Sequence, residues 1–361
     1  MAVKVASLFS GAGGLDLGFM QAGFEVAYAN DIDKDVWETY ERNSGVKIDR
    51  RSLFSIPSSD IPEVDGIIGG PPCQSWSLAG AMKGINDERG QLFYEYIRII
   101  REKQPKFFVA ENVPGMLSST HKDEFEKIIA GMEKLGYRVS YDVYDARNYG
   151  VPQERKRIII VGYRMDLGVK FAQPVPTHSK FISRGLDGLK LQNWVTLRQA
   201  ISDLPEAVPA LERNRPNPDA KFPNHEYMVG SFSTIYMSRN RRRKWDEQSF
   251  TIQAGGRHAP LHPDSCQMQK VEADKWVLTG SQYRRLTVRE AARIQTFPDD
   301  FIFYYANVAQ GYKMVGNAVP VKLANAVAWK LKQDFSLMIH GQELSQEVNL
   351  PFGASIDSRR L

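Results

Sequence analysis

The sequence predicts an α/β fold built on a mostly parallel sheet with helices on both faces, joined to a smaller loop-rich module. Three observations predict it. Short apolar runs alternate with helical stripes through the first 165 residues, as strand–helix–strand units require. Helical periodicity then fades between about residues 173 and 286, where proline, asparagine and arginine become frequent. An amphipathic segment follows near the end of the chain, of the kind that packs back on a sheet.

Taken in order, Val3 to Phe9 is a strand that closes in a glycine-rich turn, and Leu15, Phe19 and Ala22 mark one face of the helix after it. Val26 to Ala29 is a second strand, with Val36, Trp37 and Tyr40 in the next helix, and Gly66 to Gly69 is a third strand. Phe93, Tyr96, Ile97 and Ile100 fall at i, i+3, i+4 and i+7, a helical stripe. Phe107 to Val109 is another buried strand, and Phe125, Ile128, Ile129 and Met132 mark another helix. Val139 to Tyr144 and Ile158 to Val161 supply further strands. Thr287 and Glu290 have the spacing of a capping box, in which both side chains satisfy free amides at a helix start. A last helix begins near Pro320, with Leu323, Val327 and Leu331 at fourfold spacing.

Composition narrows the function classes. The chain has 361 residues, 42% hydrophobic and 25% charged, which excludes disorder throughout, collagen and coiled coil. No apolar run reaches the roughly 18 residues of a membrane span, and no secretory signal is expected at the start. Two cysteines, Cys73 and Cys266, cannot build a disulfide framework and point to a reducing interior. The net charge of +5 and pI near 9.0 are compatible with a polyanionic partner. Five cations lie between Ser238 and Lys244, and Arg284, Arg285, Arg289 and Arg293 cluster later. A solvated basic face and a nucleic-acid surface read alike at this level.

Four segments have the residue types of a chemical site. The turn Phe9-Ser-Gly-Ala-Gly-Gly-Leu-Asp-Leu-Gly18 joins the first strand to the first helix, where a ligand of such a sheet sits against a helix N-terminus. Asp16 stands where a dinucleotide fingerprint needs its third glycine. Asp31, twenty residues after Gly11, is placed to hold ribose hydroxyls of an adenosine cofactor. NAD, FAD and S-adenosylmethionine all remain open on these residues. Gly69-Gly-Pro-Pro-Cys-Gln-Ser-Trp-Ser77 follows the third strand, and its two prolines stiffen the presentation of Cys73. A zinc deaminase would need Cys-x-x-Cys and His-x-Glu; neither is there, and no metal site is expected. Glu111-Asn-Val113 ends a strand with a carboxylate suited to proton transfer. Gln153-Glu-Arg-Lys-Arg157 precedes another strand, with Arg155 and Arg157 suited to an anionic or carbonyl-rich ligand.

In this order, together with Arg285-Leu-Thr-Val-Arg-Glu290 and Gly316-Asn-Ala-Val-Pro320, these motifs resemble the DNA (cytosine-5)-methyltransferase family. The resemblance spans about Ser7 to Leu331. It is closest to the bacterial restriction–modification branch that modifies GGCC, through Ser238-Arg-Asn-Arg241 and Ser249-Phe-Thr-Ile-Gln-Ala-Gly-Gly-Arg257. It implies a Rossmann-like, S-adenosylmethionine-dependent methyltransferase domain, residues 1–175 and 312–361, and a target recognition domain, residues 176–311. The expected partner is double-stranded DNA, read by a monomer in the bacterial cytoplasm, with a possible cognate restriction endonuclease and no membrane.

The family chemistry assigns a role to each motif. Carbon 5 of cytosine is a weak nucleophile until a thiolate, here Cys73, adds to carbon 6. Glu111 then meets the charge building toward N3. Arg155 contacts the O2 side of the base, and Arg157 positions Glu111 or the base. Cofactor contacts fall to Phe9, Gly11, Gly13, Asp31, Pro72, Leu92 and Asn317. The family aspartate that meets the adenine amino group has Ser52 as its best match here, with Asp49 three residues earlier, and the contact stays open. The target cytosine must swing out of the duplex, with Ser77 placed to hold the displaced phosphate. Arg241 and Arg257, then Arg239, are the expected guanine readers, and Arg242, Arg243 and Lys244 phosphate contacts. The competing readings are an RNA cytosine-5 methyltransferase, a non-catalytic DNA-binding regulator on the same fold, and an NAD oxidoreductase. The basic insert of more than 100 residues favours duplex DNA, and joint retention of Cys73, Glu111, Arg155 and Arg157 favours catalysis.

Overall fold

Seven strands make the central sheet of the computed structural model, which describes residues 2–72, 88–181, 188 and 190–348. Cys73 and Ser77 lie outside the described residues. The strands are β1 (Lys4–Leu8), β2 (Glu25–Asn30), β3 (Ile48–Asp49), β4 (Gly66–Gly69), β5 (Phe107–Asn112), β6 (Tyr137–Asp145) and β7 (Lys156–Arg164). Their order is β3-β2-β1-β4-β5-β7-β6. The first five strands pair in parallel, while β7 runs antiparallel to both β5 and β6. Ten residues join β6 to β7. That is too short for a parallel crossover, so the chain must turn back.

Helices α1 (Gly14–Gln21), α2 (Trp37–Ser44), α3 (Glu88–Lys103) and α4 (Lys122–Lys134) connect the strands. Alternation along each strand sends neighbouring side chains to opposite faces. Val5, Ile68, Phe107 and Val109 join Phe19 of α1 on one face, and Ala6, Ile67, Phe108 and Ala110 join Phe93, Tyr96, Ile100, Phe125, Ile128 and Met132 on the other. Phe107 and Phe108 are fully buried, and each contributes roughly 1.5–3 kcal/mol. Glycines make room for both rings: a Cβ on Gly66, the β4 partner of Phe107, would lie 2.2 Å from that ring, and one on Gly162, the β7 partner of Phe108, 2.1 Å.

The described residues of 176–311 hold three two-stranded ladders, α5 (Leu197–Ile201) and α6 (Val288–Ile294). The expected capping box opens α6, with Thr287 accepting from the Glu290 amide and Glu290 from the Thr287 amide. Leu197, Ile201, Met228, Ile252 and Val288 share one apolar cluster with Val36 and Tyr40, so this stretch packs directly on the sheet domain. Two further helices, α7 (Val308–Asn317) and α8 (Val321–Val348), end the described chain. Leu323, Val327 and Leu331 of α8 are buried against α1. The approach is close: a Cβ on Gly18 would lie 2.4 Å from Ala324 Cβ and 2.8 Å from the Val321 carbonyl.

Candidate active site

The strand order reverses between β1 and β4, and a cavity of about 580 Å3 opens there at the carboxyl ends of the strands, where ligands of such sheets bind. It brings together Phe9 and Gly11 after β1, Asp31 after β2, Pro72 after β4, Glu111 at the end of β5, Arg155 and Arg157 at the start of β7, Leu92 of α3 and Asn317 of α7. Among the cofactor residues implied by the resemblance, Gly13 does not line it. Gly13 is the N-cap of α1, in the left-handed region at φ 89°, with its back to the Tyr40 ring.

Asp31 shapes the rim. One carboxylate oxygen accepts the Gly11 amide at 2.8 Å and the other the Asp33 amide at 2.8 Å, so it ties the end of β2 to the glycine turn. Burial pushes its carboxyl above the usual range, against the pull of those two amides. Of the two positions considered for the adenine contact, Ser52 lines the cavity. Asp49 accepts the Arg51 guanidinium and the Tyr28 hydroxyl instead, and the Arg51 bonds hold its carboxyl down at about 2. Ile32 and Phe54 also line the cavity although both are largely exposed, leaving apolar faces open to a planar ring. Sequence reasoning missed both. The one available signal was an apolar residue directly after Asp31. Lys313 was missed as well: it lines the cavity and bridges Asp33 at 2.7 Å and Asp35 at 2.9 Å, fastening α7 to the turn after β2.

An ion pair lines the cavity where β5 meets β7. Arg157 Nε lies 2.8 Å from Glu111 Oε1, and both side chains are largely buried. Antiparallel pairing makes this contact, because it sets the first residues of β7 beside the last of β5, with Asn112 opposite Ile158. Asn112 donates to the Pro71 carbonyl at 3.1 Å, pinning the start of the segment that leads to Cys73.

Arg155 departs from its expected contact with the base. It is 1% exposed. Nη1 donates to the Ile252 carbonyl at 3.0 Å, and Nη2 donates to the Gly316 and Ala318 carbonyls at 3.0 and 2.9 Å. With these carbonyls satisfied, it clamps the 250s segment and the α7–α8 turn to β7, and Arg157 is left as the arginine that faces Glu111. Gln153 and Gln295 extend the clamp: Gln153 donates to Gln295 and accepts the Ile252 amide, while Gln295 donates to the Val315 and Ala318 carbonyls. Arg155→Met should therefore cost about 2–5 kcal/mol of unfolding free energy, because the buried Ile252 and Gly316 carbonyls lose this donor while Ala318 keeps Gln295. Urea denaturation reads it, and a loss below about 1 kcal/mol would contradict the clamp.

The basic clusters divide. Arg241 departs from its expected role as a free reader of guanine: it is 8% exposed, donates to the Tyr236 and Ile235 carbonyls, and lies over the Tyr236 ring. Arg242 donates to the Pro263 carbonyl and Arg243 to Glu154, so these two are also engaged within the protein. Arg285 donates to the carbonyls of Met228, Gly230 and Ser231, Arg289 to those of Pro223, Pro298 and Phe301, and Arg284 and Arg293 pair with Glu290 and with Asp203 and Asp299. Arg239, Lys244 and Arg257 are exposed. Arg257 sits on the short 3-10 turn Gly256–His258, whose Gly256 is packed so closely that a Cβ there would meet Tyr312 at 2.7 Å.

Comparison with known proteins agrees with this geometry. Residues 3–333 match the family model of the C-5 cytosine-specific DNA methylases. The chain is 56% identical over 338 residues to the type II methyltransferase M.MthTI of Methanothermobacter thermautotrophicus, covering 92% of this chain and 98% of that protein. It is 49% identical to the type II methyltransferase M.FnuDI of Fusobacterium nucleatum, over 92% of this chain and 94% of that one. The fold is similar to that of the Entamoeba histolytica methyltransferase EhMeth, at a TM-score of 0.65 and 18% identity, covering 93% of this chain and 99% of that one.

Proposed function

Since this chain belongs to the C-5 cytosine-specific DNA methylase family and is a DNA (cytosine-5)-methyltransferase, we propose that it modifies a cytosine extruded from the duplex site GGCC, and so shields host DNA from a cognate restriction endonuclease. One observation supports the chemistry of this reading: a single cavity joins the Asp31–Gly11 rim to the Glu111–Arg157 pair and to the proline segment before Cys73.

The cavity fits S-adenosylmethionine, which when bound supplies an electrophilic methyl group. Asp31 would hold the ribose hydroxyls, Phe9, Ile32 and Phe54 the faces of the adenine, and Ser52 its amino group. Leu92, Pro72, Gly11 and Asn317 would complete the contacts, with Gly13 shaping the turn behind them. The exposed apolar side chains of Ile32 and Phe54 support this, because a bound ring would cover them.

The chain's own groups divide the work on the base. Cys73 adds to carbon 6 as the thiolate, breaking the 5,6 double bond and making carbon 5 nucleophilic; once carbon 5 carries the methyl group, loss of its proton restores the double bond and releases Cys73. Glu111 meets N3 with a proton or hydrogen bond, and Arg157 keeps that carboxyl aimed while facing the O2 side. Removing the base from the stack costs a few kcal/mol, and Ser77 would hold the displaced phosphate. Arg257 and Arg239 read guanine in the major groove, where arginine donates to O6 and N7 together, and Lys244 meets phosphate. Arg241 supports the loop that presents Arg239. The 176–311 region is the target recognition domain, and the enzyme acts as a monomer inside the bacterial cell.

Bisulfite sequencing of a plasmid carried in cells expressing the protein tests the site. Modification confined to GGCC is the expected result; modification of another sequence overturns the specificity, and methyl transfer to tRNA in place of duplex DNA overturns the substrate. Arg257→Ala should cost about 1–3 kcal/mol of discrimination against altered sites. Equal weakening on every duplex would remove Arg257 as a reader.

A further inference from the structure

Behind the turn Phe9 to Gly14, on the side away from the cavity, runs a line of buried polar groups that the chemistry above does not use. Ser10 Oγ donates to Ser7 Oγ at 2.9 Å, Ser7 Oγ to Asp16 Oδ1 at 2.7 Å, and the Tyr40 hydroxyl to Asp16 Oδ2 at 2.5 Å. Asp16 and Tyr40 are each 1% exposed. None of the four residues lines the cavity. Burial pushes the Asp16 carboxyl up to about 6, against the pull of its Tyr40 and Ser7 hydrogen bonds. A buried carboxyl is costly unless its bonds are needed where it stands.

The turn in front of it has a need of this kind. Phe9, Gly11 and Gly13 all have positive φ, at 57°, 56° and 89°. For phenylalanine that conformation persists only under constraint from its surroundings. On the cavity side the turn is held by the Gly11 amide on Asp31 and the Ser10 amide on the Asn30 carbonyl. On the far side the support is Tyr40. Its hydroxyl reaches Asp16 in the first turn of α1, and its ring lies where a Cβ on Gly13 would be 3.2 Å away. No side chain caps α1, and Tyr40, standing on α2, both packs against Gly13 and bonds the first turn of α1.

We propose that the Asp16–Tyr40 pair is a positioning device for the cofactor, holding the Phe9–Gly13 backbone at the height where it meets S-adenosylmethionine. The inference rests on the reading of the cavity as the cofactor site. Neither residue touches the cofactor; both act through the turn. Loss of the pair lets the turn relax before binding, so cofactor affinity falls while groups on β5 and β7 stay where they are.

Tyr40→Phe tests this by removing one oxygen. Titration calorimetry with S-adenosylmethionine should show binding about tenfold weaker than wild type, and KM for the cofactor should rise in step. At saturating cofactor, kcat and the Kd for duplex DNA should stay within about twofold. Ser7→Ala, which leaves the Tyr40 bond in place, should shift the same two quantities in the same direction by less. Unchanged cofactor affinity in both variants would overturn the inference, as would a joint fall of kcat, DNA affinity and melting temperature, the pattern of a merely structural role. Wild-type protein that binds no S-adenosylmethionine would overturn the cavity's assignment itself, and this inference with it.

Discussion

Cys73→Ser is expected to abolish methyl transfer while leaving DNA binding and cofactor binding within about twofold, a loss on the order of 10⁴–10⁶ in kcat if the nucleophile acts as part of a unit. The reason is chemical. A thiol is partly ionised near neutral pH and its anion is strongly nucleophilic, whereas a serine hydroxyl needs a base beside it to be activated. The side chains that meet at the cavity, Glu111, Arg155 and Arg157, include no histidine to serve as that base. A second measurement isolates the bond itself. Oligonucleotides with 5-fluorocytosine at the target should become covalently trapped on wild-type protein in the presence of S-adenosylmethionine, and should not be trapped on Cys73→Ser. Full activity in the serine variant, or no trapping on the wild type, would defeat the mechanism.

Glu111→Gln is expected to lower kcat by about 10²–10⁴, the range for a positioned proton donor. Glutamine keeps the shape of the side chain and can still accept from Arg157 through its amide oxygen, so the 2.8 Å contact survives in outline. What it lacks is an acidic proton to transfer to N3 in the proposed role. DNA affinity and KM for the cofactor should therefore stay within about twofold, which separates lost proton transfer from lost structure. An unchanged kcat would assign the work at N3 to another group.

The sheet was legible where one strand and its neighbours suffice. Gly66–Gly69 is the strand the sequence predicted, and the Thr287–Glu290 box is formed as its spacing requires, because both depend on residues close in the chain. The reversal of β7 was less visible: a run such as Ile158 to Val161 has no direction until its partners are known. The arginines were the hardest to read. Arg155, Arg241, Arg285 and Arg289 donate mostly to backbone carbonyls, many of them from distant parts of the chain, and a carbonyl has no sequence signature. Charge alone therefore marked two basic clusters without telling brace from surface, where the fold uses these side chains as internal braces and leaves Arg239, Lys244 and Arg257 exposed. Ile32 and Phe54 were missed for the opposite reason, since apolar residues usually signal burial and these two lie open at the cavity.

The seam between Gly18 and α8 has a consequence for how the protein is made. Asn325 donates to the Gly18 carbonyl across 307 positions, so one flank of the nascent sheet waits bare until residue 325 has been translated. At roughly 5–20 residues per second that interval lasts about 15–60 s. A ribosome that stalls before α8 releases a fragment whose first helix lacks the cover that Leu323, Val327 and Leu331 give it.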